Sequence, residues 1–221
     1  MKFQAVLFDC DGVLVDSEPI TNGVLREMLN ERGWAITQEE CMRAFVGKSL
    51  KDEVTLIAQR TGSAVSPAWL AEFAERRNAA LATRVLAVPN VVDTVRELHA
   101  RYRGKIACAS GADRGKVELQ LRRVGLFDCF EGRIFSGYET PRSKPYPDVY
   151  LAAAAALQVD GAHCAVVEDT VPGVTAGVAA QATVFAYSPA DTSHVSAMQL
   201  REAGAHHHFV DMAHLPGLLM A

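Results

Sequence analysis

The chain has 221 residues, 49% of them hydrophobic, with a formal net charge of −4 and a pI near 6.0, enough for one large domain or for a core with a smaller insert. This mild acidity gives no electrostatic footprint for nucleic acid or an anionic membrane. No apolar run has the length to cross a bilayer and the first residues lack a signal-peptide layout, so a cytoplasmic protein with no membrane partner is expected, and a monomer needs no further assumption.

In chain order, Ala5-Val6-Leu7-Phe8 is a short apolar run of the kind that forms a buried parallel strand. It stops at Asp9 and Asp11, followed by Gly12. Residues two apart in extended chain point the same way, so both carboxylates can face one spot beyond the strand. Like charges that close disfavour each other's ionisation unless something positive lies beside them. An EF-hand loop is excluded, because Val13 and Leu14 stand where calcium ligand and glycine are required.

Residues 17 to about 86 read as helix throughout, with no strand pattern. Ile20, Val24, Leu25, Met28 and Leu29 mark a helix over 19–32 that ends at Gly33. Thr37 with Glu40 forms a capping box for a second. Ser49 with Asp52 opens a third, closing near Gly62. Ser66 before Pro67 caps a fourth that runs to about Arg84. Trp34 and Trp69 are expected in the core of this block. Gly47-Lys48-Ser49 mimics the end of a P-loop, but Met42 occupies the position of its first glycine.

From Ala87 onward strands and helices alternate. A helix follows Pro89, and strands are expected at 105–110, 133–136, 164–167, 183–186 and about 206–210. Between them lie helices carrying Val117, Leu121 and Val124, then Pro147 to Leu157, then Pro172 to Gln181; in the last, Gly173, Ala176 and Gly177 permit close packing on a sheet. This alternation predicts an α/β fold: a doubly wound parallel sheet of residues 1–16 and 87–221 with an inserted all-helical domain at 17–86. Ligands of such sheets sit beyond the carboxyl ends of the strands, where the insertion departs, so it is a lid by position. The five cysteines are scattered without a CxxC pair and read as reduced, buried thiols. His206, His207, His208 and His214 are explained by alternating exposure on a late edge strand.

Four strand ends deliver polar groups to one edge: Asp9 and Asp11, Ser110-Gly111, Lys144 in the SKPYPD loop, and Glu168-Asp169. This set is coherent for phosphoryl transfer. An anionic carboxylate approaching a phosphate monoester needs its charge offset, which Mg²⁺ on oxygen ligands, the Lys144 ammonium, and donors from Ser110 and the adjacent backbone would provide.

The stretch FDCDGVLVDSE with Ser110, Lys144-Pro145 and Glu168-Asp169 resembles the haloacid dehalogenase-like superfamily, in the helical-cap branch that holds β-phosphoglucomutase and many sugar-phosphate phosphatases. FSGYETPRSKPYPDVY is also similar to 6-phosphogluconate phosphatase-type members. The resemblance implies Asp9 as nucleophile and Asp11 as general acid/base, with the Asp11 main-chain carbonyl on Mg²⁺. It implies Ser110, Gly111 and Lys144 on the phosphoryl group, Asp169 on the metal, and Glu168 as a direct or water-mediated ligand. The substrate implied is a small phosphorylated metabolite, such as a sugar phosphate or 6-phosphogluconate. Dehalogenation is disfavoured, since family dehalogenases lack the second aspartate.

The alternative is a β-phosphoglucomutase-type mutase. The mutases' cap-hinge histidine is replaced here by Thr21, their cap arginine by Leu50, and their Ser-Lys-Asn run by Ala112-Asp113-Arg114. These three departures favour hydrolysis. A third reading is a non-catalytic regulator that keeps the fold. Candidates for reading the leaving group from the cap are Glu18, Lys48 and Arg77, although Arg77 fits better as an arginine snorkelling past the cap's own core.

Overall fold

The computed structural model describes residues 2–46, 50–189 and 195–220. The chain falls into two compact units, Met1–Asp16 with Leu86–Ala221, and Ser17–Val85.

The first unit is built on strands β1 (Ala5–Phe8), β2 (Val15–Asp16), β3 (Leu86–Ala87), β4 (Ile106–Ser110), β5 (Ile134–Ser136), β6 (Cys164–Glu168), β7 (Thr183–Tyr187) and β8 (His207–Phe209). Six of them form one sheet in the order β5-β4-β1-β6-β7-β8, parallel at every pairing. The chain builds outward from β1 in one direction through β4 and β5, then in the other through β6, β7 and β8. The carboxyl end of β1 is therefore the switch point where such sheets open a crevice. All four β1 residues are buried, which is why an unbroken apolar run rather than an alternating one encodes this strand.

Helices on both faces complete the layers. These are α5 (Val91–Arg101), α6 (Arg114–Arg123), α7 (Phe127–Phe130), α8 (Asp148–Ala156), α9 (Val171–Ala179), α10 (Ala197–Glu202) and α11 (Leu215–Leu218), numbered after the helices of the second unit, which precede them in the chain. Ala5 and Leu7 share a core cluster with Ala107, Val166 and Val184 of the neighbouring strands and with residues of α8 and α9. Phe8 alternates to the other face and meets Phe130 of α7 edge-on at 6.0 Å. Gly177 packs its bare backbone against Val184 and Val166.

The second unit holds α1 (Glu18–Glu31), α2 (Gln38–Phe45), α3 (Val54–Thr61) and α4 (Pro67–Arg84). The Thr37–Glu40 capping box starts α2, and the Ser66 hydroxyl accepts the Trp69 N–H at the head of α4. Its core is Val24, Leu25, Met28, Leu29, Ile57 and Phe73, with Trp34 and Trp69 packed against it. Among the described residues, no helix is long and apolar enough to cross a membrane.

Four sequence expectations need correction. Leu86 is not helical: β2 and β3 form a two-residue antiparallel ribbon, Val15 opposite Ala87 and Asp16 opposite Leu86, too short to leave a periodic signal. The third helix begins at Val54 with Glu53 at its N-cap, because Asp52 stands in a turn ahead of it; Ser49 lies outside the described residues. His206, His207 and His208 are all exposed rather than alternating, at the open edge of the sheet. Cys129 is half-buried, whereas the other four cysteines are buried and all five are free.

Candidate active site

Burial at the end of β1 shapes the first half of the site. Asp9 is 7% exposed, and its N–H donates to Val167 O of β6 at 3.0 Å, which ties the carboxylate's root to the neighbouring strand. Lys144 Nζ donates to Asp9 Oδ1 at 2.7 Å and to Glu168 Oε1 at 2.6 Å. Burial raises the Asp9 carboxyl to about 7 despite the Lys144 ammonium, with Glu168 adding to the rise. Burial also works against the charge on Lys144, but Asp9 and Glu168 outweigh it and push that ammonium above its ordinary range.

Glu168 is fully buried and fully engaged. Oε1 accepts from Lys144 and, at 2.7 Å, from the Tyr150 hydroxyl. Oε2 accepts from the N–H groups of Asp169 and Thr170 and from Thr170 Oγ1. The bare Cα of Gly173 makes room for it: a Cβ there would stand 1.8 Å from Oε1. Glycine in α9 therefore serves the carboxylate as well as the sheet.

The turn after β1 brings a second close approach. Gly12 has φ of +78°, and a Cβ on it would lie 2.0 Å from Asp169 Oδ2, so only glycine lets this backbone meet Asp169. The turn is closed by Gly12 N–H to Val15 O and Leu14 N–H to Cys10 O, both 2.8 Å.

Asp11 is held elsewhere. Lys116 Nζ donates to both of its carboxylate oxygens at 2.9 Å, and Gln120 Nε2 donates to Oδ1 at 2.9 Å. The strand periodicity places Asp9 and Asp11 on one side of the chain, but the turn directs their carboxylates to different cations. Lys116 and Gln120, like Tyr150, went unread in the sequence. The available signal was a polar pair four apart beside the Val117–Leu121 stripe of α6, where an amphipathic helix is still turned inward.

Ser110 is buried and its Oγ accepts the Ala112 N–H at 3.1 Å. The adjoining Gly111 lies 3.7 Å, by its virtual Cβ, from the Ser143 hydroxyl next to Lys144. Of the cap candidates, Glu18 Oε2 accepts from Asn22 Nδ2 at 2.8 Å. Arg77 lies over the Phe73 ring at 5.7 Å and donates to Asn78 Oδ1, both within the helical unit. Lys48 lies outside the described residues.

The donor set is of the kind that suits a hard divalent cation. One carboxylate oxygen from each of Asp9, Glu168 and Asp169 lies within 4.8 Å of the others, and Mg²⁺ takes oxygen ligands of this type. Fully ionised, these three carboxylates with Lys144 leave a formal deficit of two positive charges.

The chain is similar to known proteins. The haloacid dehalogenase-like hydrolase family model matches residues 3–181. The 6-phosphogluconate phosphatase of Escherichia coli K12 is 27% identical over 184 residues, 83% of this chain and 82% of that protein. Hexitol phosphatase B of the same organism is 30% identical over 181 residues, 80% of each. A family hydrolase from Deinococcus radiodurans R1, solved with bound phosphate and sodium, shares the fold with a TM-score of 0.79 at 34% identity, over 99% of this chain and 95% of that one. With four-fifths of its length matched by the model and its strand-end residues gathered as described, this chain belongs to the haloacid dehalogenase-like hydrolase family.

Proposed function

We propose that this hydrolase is a Mg²⁺-dependent phosphatase of a small phosphorylated metabolite, a sugar phosphate or a phosphosugar acid such as 6-phosphogluconate, acting through an aspartyl-phosphate on Asp9. The observation that carries the reading is the division of labour between the two aspartates. Asp9 is buried beside Lys144 in a cluster suited to phosphoryl charge, whereas Asp11 is held apart by its own cation. The names of the relatives support the substrate class.

A carboxylate oxygen of Asp9 attacks phosphorus, the ester P–O bond breaks, and Asp11 gives its proton to the departing alcohol oxygen. Asp11 then takes a proton from the water that attacks phosphorus, releasing phosphate and restoring Asp9. Lys144 fixes the Asp9 oxygen and, with Ser110 and the backbone N–H of Gly111, holds the phosphoryl oxygens. Asp9, Asp169 and the main-chain carbonyl of Asp11 would hold the Mg²⁺, which when bound offsets negative charge on the phosphoryl group. Glu168, with both oxygens engaged by protein donors, acts by anchoring Lys144, and its charge would add to the field that holds the cation.

Hydrolysis is favoured over mutase chemistry by what stands at the mutases' sugar contacts. Leu50 packs against the helical unit's apolar core. Asp113 caps α6, and Arg114 is bound in a fork by Glu139.

The test is phosphate release across sugar phosphates, phosphosugar acids and phosphoglycolate, with and without EDTA. Asp9→Asn is expected to lower kcat by on the order of 10⁴ or more. Turnover by that variant near the unmodified rate would end the proposal, and conversion of β-glucose 1-phosphate to glucose 6-phosphate without phosphate release would select the mutase.

A further inference from the structure

Lysine is among the residues least often buried without a partner, yet Lys116 is 7% exposed on the inward side of α6. Its place there is built. The Asp113 side chain accepts the Lys116 N–H at 2.9 Å and starts the helix, so Lys116 sits in the first turn. Its side chain leans toward the helix N-terminus and the carboxyl edge of the sheet. Gln120 follows one turn later on the same face. The Gln120 amide is oriented from behind, because its Oε1 faces the Cys10 thiol at 3.7 Å while its Nε2 turns to Asp11. A helix needing only to pack would carry apolar side chains at both positions, as it does at Val117 and Leu121.

Three hydrogen bonds from two side chains converge on the Asp11 carboxylate, and that carboxylate is not one of the three that gather as Asp9, Glu168 and Asp169. We propose that Lys116 and Gln120 are positioning residues for Asp11: they fix its carboxylate at the leaving-group side of the site and keep it out of the Asp9–Glu168–Asp169 cluster. This rests on the reading of Asp11 as the acid that serves the departing alcohol. Proton delivery depends on placement, and a displacement of about 1 Å can cost 10²-fold in rate.

Leaving-group dependence separates this role from a merely structural one. An alkyl phosphate must receive a proton as its alcohol departs; p-nitrophenyl phosphate releases a stable phenolate that needs none. The alkyl ester to use is the metabolite of the panel above with the highest kcat/KM. Asp11→Asn is expected to cut kcat/KM on it by about 10²–10⁴ and to cut p-nitrophenyl phosphate far less. That result tests the acid/base reading alone, and equal loss on both esters, or none, brings that reading down.

With that reading standing, Lys116→Met is expected to lose about 10²-fold on the alkyl ester with little change on the aryl ester. Lys116→Arg should recover most of the loss. In the Asp11→Asn background Lys116→Met should add no more than about twofold, since both act through one group. Gln120→Leu, which leaves no charge without a partner, should show the same pattern more weakly, and it keeps the proposal testable where Lys116→Met is recovered unfolded. Equal losses on both esters, or a full additional loss without Asp11, would overturn the proposal.

Discussion

A single methyl group at Gly173 should disable the site from a distance. In Gly173→Ala the new Cβ would stand 1.8 Å from Glu168 Oε1, 1.9 Å from Cδ and 2.1 Å from Oε2, whereas ordinary contact begins at 3.4 Å. The carboxylate must retreat by about 1.6 Å. It cannot do so and keep Lys144 at 2.6 Å, Tyr150 at 2.7 Å and the Asp169 N–H at 3.0 Å. Overpacking alone costs about 1–3 kcal/mol, and each lost bond to a charged group adds about 1.5–3 kcal/mol. These effects share one carboxylate and do not simply sum, so we expect a loss of about 3–5 kcal/mol. In a protein of this size that lowers Tm by about 6–20 °C. Lys144 also loses its anchor beside Asp9, so kcat/KM for phosphate release should fall at least about tenfold at temperatures where the variant is folded. The control is Gly177→Ala, whose Cβ meets the side chains of Val184 at 2.8 Å and Val166 at 3.1 Å. It should lose about 1–3 kcal/mol with activity per folded molecule retained. A Gly173→Ala protein melting within about 2 °C of the parent, with unchanged kcat/KM, would refute the clamped Glu168.

Tyr150→Phe removes one donor from Glu168 Oε1 while Lys144 stays bound to the same oxygen, so no acceptor is orphaned. The expected loss is about 1.5–3 kcal/mol, read in urea unfolding as a lower midpoint at unchanged slope; an unmoved midpoint would show that the hydroxyl contributes nothing. His207 supplies a pH test. Burial, with smaller effects of Lys2 and His206, lowers its pKa from the usual 6.5, and its ring stacks on Phe185 at 4.5 Å. The unfolded chain then binds the proton more readily than the folded one. Its contribution is fully present above pH 6.5 and is lost as pH falls from there through the lower, folded-state pKa. Tm measured from pH 7.5 down to pH 5 should fall less steeply for His207→Phe than for the parent; identical slopes would refute the assignment.

Elements with local signals were readable in the sequence. An unbroken apolar run marked β1, and the Thr37–Glu40 and Ser66 caps marked the starts of α2 and α4, because caps and periodicity involve residues within a turn of each other. α10 carried a local signal as well, since Ser196 and Gln199 form a capping box, although no helix is expected there from the sequence. The β2–β3 ribbon had no such signal. Two residues set no period, and Asp16 finds its partner at Leu86, across the whole helical unit.

At the site the same division holds. Asp9, Asp11, Ser110, Lys144, Glu168 and Asp169 were visible because each ends or follows a strand, and parallel strands align their ends. Which cation serves which carboxylate was not visible. Lys144 bridges Asp9 and Glu168, and Lys116 takes Asp11 across 105 positions of chain. The sequence by itself determined the kinds of element and the chemical groups brought to one edge of the sheet, since both follow from short-range pattern. Only the tertiary structure decided the pairing among those groups, because attraction between charges depends on separation and burial, and packing alone sets both.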